Sequence, residues 1–128
     1  MSSPNKQATV ISAARISEAF DSGASFLETP EYRLGLARRE GPGEAEIHAL
    51  DTDIFHVFEG EAVLVSEGTL LEPRGLGPGE VRGTGIEDGV EQAVRKGDVI
   101  VIPRGVPHWF REVTVSPFIY LVVKSTKG

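Results

Sequence analysis

The alternation of apolar and polar residues from Tyr32 onward predicts a succession of β-strands. Runs in which β-branched and aromatic residues recur cover residues 32–39, 44–49, 54–58, 61–66, 91–94, 99–102, 108–112 and 118–123. Glycine, proline and aspartate turns separate these runs at short intervals, and no helical period lies between them. The pattern therefore predicts an all-β protein built as an antiparallel sandwich or barrel.

The segment before the first of these strands has a different pattern. Residues 1–9 have the composition of a loose arm, and the spacing over residues 11–20 predicts a short helix with Ser12 as its N-cap. We therefore divide the single domain into an N-terminal arm with a short helix over residues 1–31 and a β-barrel over residues 32–128.

A glycine-rich stretch over residues 67–89 interrupts the strand pattern. It holds seven glycines and two prolines among 23 residues, and a connection of this length is either functional or disordered. Its apolar residues, among them Leu70, Leu76 and Ile86, argue against a pure linker. We expect a partly ordered excursion, which either covers a pocket or is a surface insertion without a function.

Length and composition narrow the class of protein. With 128 residues and no cysteine, the chain forms one domain without disulfides, thiolate chemistry or cysteine-rich zinc sites. A net charge of −6 and a pI near 5.0, with scattered basic residues, argue against a nucleic-acid or anionic-membrane surface. The polar N-terminus and the lack of an apolar run of about 18 residues predict neither a signal peptide nor a membrane span. We therefore expect a cytoplasmic protein.

Two stretches carry the candidate chemistry. In the later one, Gly97, Pro103 and Gly105 form turns on either side of a β-branched strand, and His108 begins the next strand. The imidazole is thereby held at a rigid corner. In the earlier one, carboxylates and histidines interleave with apolar residues over residues 44–60. Together they place several ligand-type side chains on predicted strands.

The spacing of both stretches resembles the two motifs of the cupin superfamily, and the resemblance covers residues 32–124. The second motif is glycine, five residues, proline, one residue, glycine, two residues, histidine, three residues and asparagine. It matches at every position except the last, which is Glu112. The first motif is histidine, one residue, histidine, three or four residues, glutamate, six residues and glycine. It keeps its spacing, with Glu46 in place of the leading histidine and Asp53 in place of the glutamate. The resemblance implies a jelly-roll β-barrel.

The resemblance also implies a metal site made of His48, His108, Asp53 and Glu46. Alternation along a strand puts Glu46 and His48 on one face, and it turns Asp53 inward and His56 outward. Two histidines and one carboxylate on one face of an ion leave coordination positions open, as in non-haem Fe(II) oxygenases. We expect a divalent ion, with Fe(II) preferred and Mn, Zn or Ni as alternatives.

Three functions follow from such a site. The first is a non-haem oxygenase that oxidises a small polar or anionic organic molecule. The second is a non-redox isomerase, epimerase, lyase or cyclase, in which Glu46 and His108 transfer protons with or without a metal. The third is a module that binds a sugar or small metabolite without turning it over. We rank the two enzyme functions together above the third and name the oxygenase first, although a fold that serves many functions does not decide between them.

Other residues give weaker signals. Arg33 and Arg39 share one strand face, where an inward arginine pairs with a substrate carboxylate and an outward one is solvated. Trp109 and Phe110 lie on opposite strand faces, so that one of them is able to line a pocket, but core or subunit packing is the role we expect for either. Residues 118–123 are apolar on both faces, which predicts cover on both sides. With the resemblance, this predicts a homodimer.

Overall fold

The computed structural model describes residues 7–126, so the first six residues of the predicted N-terminal arm lie outside the described part of the chain. The elements, in chain order, are α1 (Ala13–Glu18), a 3₁₀ turn (Ala19–Asp21), β1 (Ala24–Glu28), β2 (Tyr32–Arg39), β3 (Ala45–His48), β4 (Asp51–Ser66), β5 (Thr69–Leu71), β6 (Arg74–Gly75), β7 (Glu80–Gly83), β8 (Gly85–Glu87), β9 (Val90–Arg95), β10 (Val99–Ile102) and β11 (His108–Thr126). Among these described elements, no helix has the length and apolar character needed to cross a membrane.

The two longest strands form the centre of the sheet. β4 and β11 pair along almost their whole lengths in antiparallel register. β2 and β3 add to β11, whereas β9 and β10 add to β4. β5 and β8 form a separate two-stranded sheet. The fold is therefore the all-β antiparallel jelly roll with one short helix that the sequence predicts.

β4 and β11 are each one continuous strand where the sequence pattern predicts two. Their pairing shifts register at several points, so bulges bend β11 without ending it. Gly60 lies at a close approach of the two strands, with a φ of +82°. A Cβ atom at Gly60 would overlap the carbonyl oxygens of Val115 and Pro117. Glycine therefore lets β4 bend where the sequence pattern suggests a turn.

The N-terminal segment covers the outer face of the sheet. The helix is shorter than predicted, and Ser12 caps it by accepting a backbone N–H from the first turn. The 3₁₀ turn packs Ala19 against Leu36 and Ile119. β1, which the sequence pattern does not predict, pairs with the edge of β2. The outer cover of Ile119 therefore comes from the same chain, and this residue needs no partner subunit.

The glycine-rich stretch is ordered into four short strands, β5 to β8. Gly79 adopts a φ of +74° immediately before β7, which is a backbone conformation that glycine adopts readily. β7 then pairs with β3, so that Glu80 lies opposite His48 and Arg82 lies opposite Glu46. This stretch thus extends the sheet beyond the edge of β3.

The inner faces of the sheet change from apolar to charged along two strands. On β4, the buried positions run from Val57 through Phe55 to Asp53. On β11, Tyr120 packs against Phe55, with ring centroids 4.9 Å apart, and Lys124 lies opposite Asp53. The end of the apolar core is therefore the place where ionisable side chains gather.

Candidate metal centre

Three strands place four ligand-type side chains at this end of the core. β3 carries Glu46 and His48, β4 carries Asp53, and His108 is the first residue of β11. His108 lies opposite Glu46 where β11 pairs with β3. The turn before β11 is tied to the same strand, because the Gly105 N–H donates to the His48 carbonyl over 2.9 Å. Backbone pairing therefore fixes both histidines relative to each other.

The four side chains direct one atom each toward a common point, which we call the convergence point. His48 Nε2 lies 3.6 Å from Glu46 Oε2 and 3.5 Å from Asp53 Oδ2. His108 Nε2 lies 3.6 Å from each of the same two oxygens. Atoms that bind one ion at about 2.1 Å are separated by roughly 3 to 4.2 Å, so these spacings fit ligands of a single ion.

The other ring nitrogen of each histidine is already used. His48 Nδ1 lies 2.8 Å from both carboxylate oxygens of Glu80, and His108 Nδ1 lies 3.1 Å from the Val106 carbonyl oxygen. Both partners are acceptors, so each Nδ1–H donates and each Nε2 keeps its lone pair. This is the arrangement that orients metal-binding histidines.

The two carboxylates are held in the same manner. Arg82 Nη1 lies 3.1 Å from Glu46 Oε1, and Lys124 Nζ donates to Asp53 Oδ1 over 2.8 Å. In both residues, the oxygen that faces the histidines is not the one that the cation holds. Each of the four side chains is therefore held through one polar atom, and its other polar atom faces the convergence point.

Two atoms at the convergence point lack a partner. Within residues 7–126, the buried Asp53 Oδ2 and His108 Nε2 have no hydrogen-bond partner. Burying an unpaired polar group is costly, and native proteins rarely leave one without a reason. A divalent cation would satisfy both atoms, and Glu46, His48 and His108 have ligand atoms that all lie within 4.8 Å of one another. The donor set therefore fits a metal ion.

The electrostatics of the cluster favour a positive charge at the convergence point. Burial opposes ionisation of Glu46, but His108, His48 and Arg82 together hold the pKa of its carboxyl well below the usual range. Burial acts to lower the pKa of His48, yet the carboxylates of Glu46, Glu80 and Asp53 raise it above the usual value. Ionised carboxylates and a site that attracts positive charge are what a divalent ion requires.

A cavity of about 700 Å³ opens beside the cluster. Its polar wall includes Glu46, His48 and Asp53, and Phe55 and Val122 contribute apolar surface. The remaining lining residues come mainly from β2, β7 and β11 and from nearby turns: Thr29, Pro30, Arg33, Arg39, Leu50, Asp51, Pro78, Glu80, Arg82, Tyr120, Lys124 and Thr126. The space accommodates a small organic molecule next to the convergence point.

All four residues selected from the sequence lie together, and His56 does not join them. The His56 side chain is on the opposite face of β4 from Asp53, and its ring packs against Phe58 with centroids 5.0 Å apart. Glu112, at the last motif position, is at the surface beside Arg111. Alternation along β4 therefore separates Asp53, which faces the cluster, from His56, which does not.

The aromatic pair after His108 divides as predicted between two faces, but neither residue lines the cavity. Phe110 belongs to the inner core with Phe55 and Tyr120. Trp109 packs on the other side, where its indole N–H donates to the Gly43 carbonyl over 2.8 Å. Both residues therefore belong to the hydrophobic packing around the site.

Glu80, Arg82 and Lys124 were not predicted from the sequence as residues of the site. A weak signal exists, because Glu80 and Arg82 are two residues apart and share a strand face, and Lys124 shares a face with Tyr120. The pairing of β7 with β3 and of β11 with β4 brings these charges to the cluster. Such long-range pairing is not visible in local spacing.

Sequence comparison agrees with the fold. A family model described as Cupin matches residues 33–128, which include all four cluster residues. A comparison with curated protein sequences finds no match. The family is therefore shown by the family model alone, whose match covers the strand region of the chain.

Solved structures with the same architecture are distant in sequence. BH2720 of Bacillus halodurans aligns over 98% of this chain and 84% of its own, with a TM-score of 0.68 and 13% identity. The Cnp3 cupin domain of Schizosaccharomyces pombe aligns over 82% and 60%, with a TM-score of 0.59 and 15% identity. Hydroquinone 1,2-dioxygenase PnpCD, in complex with Cd²⁺ and 4-hydroxybenzonitrile, aligns over 79% and 61%, with a TM-score of 0.54 and 21% identity. This chain thus spans less than two thirds of the last two structures, and these similarities establish a shared fold.

Proposed function

This chain belongs to the cupin family, and from that membership and its ligand cluster we propose that it is a metal-dependent enzyme acting on a small polar or anionic organic molecule. The chemistry we favour is that of a non-haem oxygenase. One observation carries the proposal: four ligand atoms from three strands converge, and each belongs to a side chain whose other polar atom is held. Such preorganisation is typical of a metal site.

His48, His108, Asp53 and Glu46 would hold a divalent ion, with Fe(II) preferred and Mn, Zn or Ni as alternatives. When bound, the ion supplies Lewis acidity, redox chemistry and open coordination positions. PnpCD, a dioxygenase of similar fold, was solved with Cd²⁺, which supports a metal-based function on this scaffold.

The four ligands differ in their access to the cavity, and this difference gives them different roles. The side chains of His48, Asp53 and His108 are 6%, 2% and 4% exposed, whereas Glu46 is 19% exposed. Glu46 is therefore the member that a substrate in the cavity meets first. Arg82 holds Oε1 of Glu46, whereas Oε2 lies 3.6 Å from His108 Nε2 and, in the absence of an ion, is available to accept a proton.

The exposure of Glu46 also favours a second candidate function. A carboxylate between the cavity and two imidazoles suits a non-redox isomerase, epimerase, lyase or cyclase, in which Glu46 and His108 move a proton on the substrate. Oxygen dependence separates the two candidates. Equal turnover with and without air, together with solvent deuterium in the product, would establish the second candidate and contradict the first.

Metal binding is tested on protein purified without chelators. We expect about one equivalent of divalent metal per chain after reconstitution, which is the stoichiometry of one mononuclear site. His108→Ala removes a ligand and abolishes binding, whereas the matched control His56→Ala removes a histidine on the outer face and leaves binding intact. Less than about a tenth of an equivalent in the wild-type protein, without recovery on reconstitution, would reject the metal-dependent function.

A further inference from the structure

The cavity contains four cationic side chains, and three of them are paired with carboxylates. The pairs are Arg33 with Asp51 at 2.5 Å, Arg82 with Glu46 at 3.1 Å and Lys124 with Asp53 at 2.8 Å. Arg39 is different: among the described residues, no carboxylate lies within 4.0 Å of its guanidinium. One positive charge on the cavity wall is therefore unmatched.

The surroundings of Arg39 hold its guanidinium without neutralising it. Its Nε donates to the Tyr120 hydroxyl over 3.0 Å, and its central carbon lies 5.8 Å from the centre of the Phe110 ring. Within residues 7–126, the other four guanidinium N–H groups have no hydrogen-bond partner. A phenol carries no charge at neutral pH. Tyr120 thus holds the Nε side of the guanidinium, and the two terminal nitrogens are available to a ligand.

Arg39 and the ligand cluster share the same cavity. Tyr120 packs on Phe55, which is two residues from Asp53 on the same face of β4. A small molecule in this cavity therefore has access both to Arg39 and to the cluster residues that line it.

We propose that Arg39, steadied by Tyr120, is the subsite that binds a carboxylate group of the substrate, so that the enzyme selects small organic acids. This assignment rests on the proposed function, since it places the other end of the acid at the metal cluster. Guanidinium N–H groups match a carboxylate in a bidentate arrangement, and a partly buried site strengthens such a pair. A substrate carboxylate would supply the partner that Arg39 lacks.

Gly43 offers a way to disturb Arg39 without removing it. A Cβ atom at Gly43 would lie 2.6 Å from Arg39 Nη1. The Gly43 backbone is pinned, because its N–H donates to the Phe110 carbonyl over 3.1 Å and its carbonyl accepts from Trp109. In Gly43→Ala, the flexible guanidinium therefore moves while the backbone stays, and the charge is kept.

The test titrates the full chain, in the presence of Zn²⁺, with propanoate and with its uncharged analogue propanamide. Binding is followed on the NMR signals of the ligand itself, which are the same for every variant, and Zn²⁺ affinity is measured separately for each variant. We expect Arg39→Met and Gly43→Ala to weaken propanoate binding by about tenfold or more. Arg38→Met, which removes a cation on the opposite face of β2 that is paired with Glu40, serves as the matched control and changes propanoate binding by less than about twofold.

The outcomes separate this inference from the proposed function. Equal propanoate affinity in wild type and Arg39→Met, or no propanoate binding by the wild type, would overturn the carboxylate subsite. An equal loss of propanamide binding in Arg39→Met would overturn it as well, because the effect would not depend on charge. Failure of the wild type to bind Zn²⁺ would instead reject the metal centre. The propanoate affinities of the wild type and Arg39→Met would still decide the carboxylate subsite in that case.

Discussion

Glu80 fixes the imidazole of His48 from the side away from the convergence point. Both of its carboxylate oxygens lie 2.8 Å from His48 Nδ1, so it orients the ring and raises its basicity. We predict that Glu80→Gln weakens Zn²⁺ binding by about 10-fold to 100-fold in a competition titration. The control Glu91→Gln alters a surface carboxylate paired with Arg111 and leaves the affinity unchanged. Equal affinities in the two variants would show that Glu80 has no part in positioning the ligand.

Lys124 compensates the charge of Asp53, which is almost completely buried. Removing one partner of a buried ion pair leaves an uncompensated charge, so Lys124→Met is expected to lower the free energy of unfolding of the metal-free protein by about 3 kcal/mol. Lys96→Met removes an exposed cation 3.7 Å from Glu59, and we expect a loss below about 0.5 kcal/mol. Urea denaturation compares the two variants. Similar losses would mean that the Lys124 pair behaves as a surface contact.

The placement of four side chains at one point could be predicted from the sequence, because the motif spacing and strand alternation indicate the same positions. Glu46, His48, Asp53 and His108 belong to this group, since neighbouring positions on a strand fix which side chains share a face. Glu80 and Lys124 were not predictable in the same way. Their roles depend on which strands pair, and that is set by contacts between segments far apart in the chain.

Gly60 permits β4 to remain one strand while it passes close to β11. Gly60→Ala combines a φ of +82° with an overlap against backbone carbonyl oxygens, and we predict a loss of at least about 2 kcal/mol in unfolding free energy. Gly41→Ala is the matched control, because a Cβ atom there meets nothing within 4 Å, and its effect stays within about 0.5 kcal/mol. Thermal unfolding of both variants tests the claim. An unchanged stability in Gly60→Ala would contradict the close approach.

At the level of elements, regular strands were predicted with their correct bounds, as β2 and β10 show. The errors fall where geometry departs from a regular strand. Bulges and Gly60 made β4 and β11 look like two strands each, because a local break in alternation resembles a turn. The strands of the glycine-rich stretch are two to four residues long, which is too short for a period of two to be recognised.

The whole molecule keeps an apolar outer surface on one side of the sheet. Val99 and Val101 are 64% and 57% exposed and lie on β10, which pairs with β4 alone among the described strands. This surface suits the predicted homodimer, since an unpaired apolar edge favours association. Sedimentation analysis is expected to give twice the chain mass of 13.8 kDa. Val101→Lys should shift the protein to monomer, whereas Val115→Lys, also at an exposed position, should not. A monomeric wild type would contradict the prediction.

We propose that the two imidazoles and two carboxylates at the convergence point bind one divalent ion. The most direct measurement is a crystal structure of the metal-loaded protein with anomalous data collected at the absorption edge of the metal. We predict one strong peak within about 2.0 to 2.3 Å of both His48 Nε2 and His108 Nε2, with a carboxylate oxygen of Asp53 or Glu46 completing the ligand set. A peak bound to His56, or no peak between His48 and His108, would contradict it.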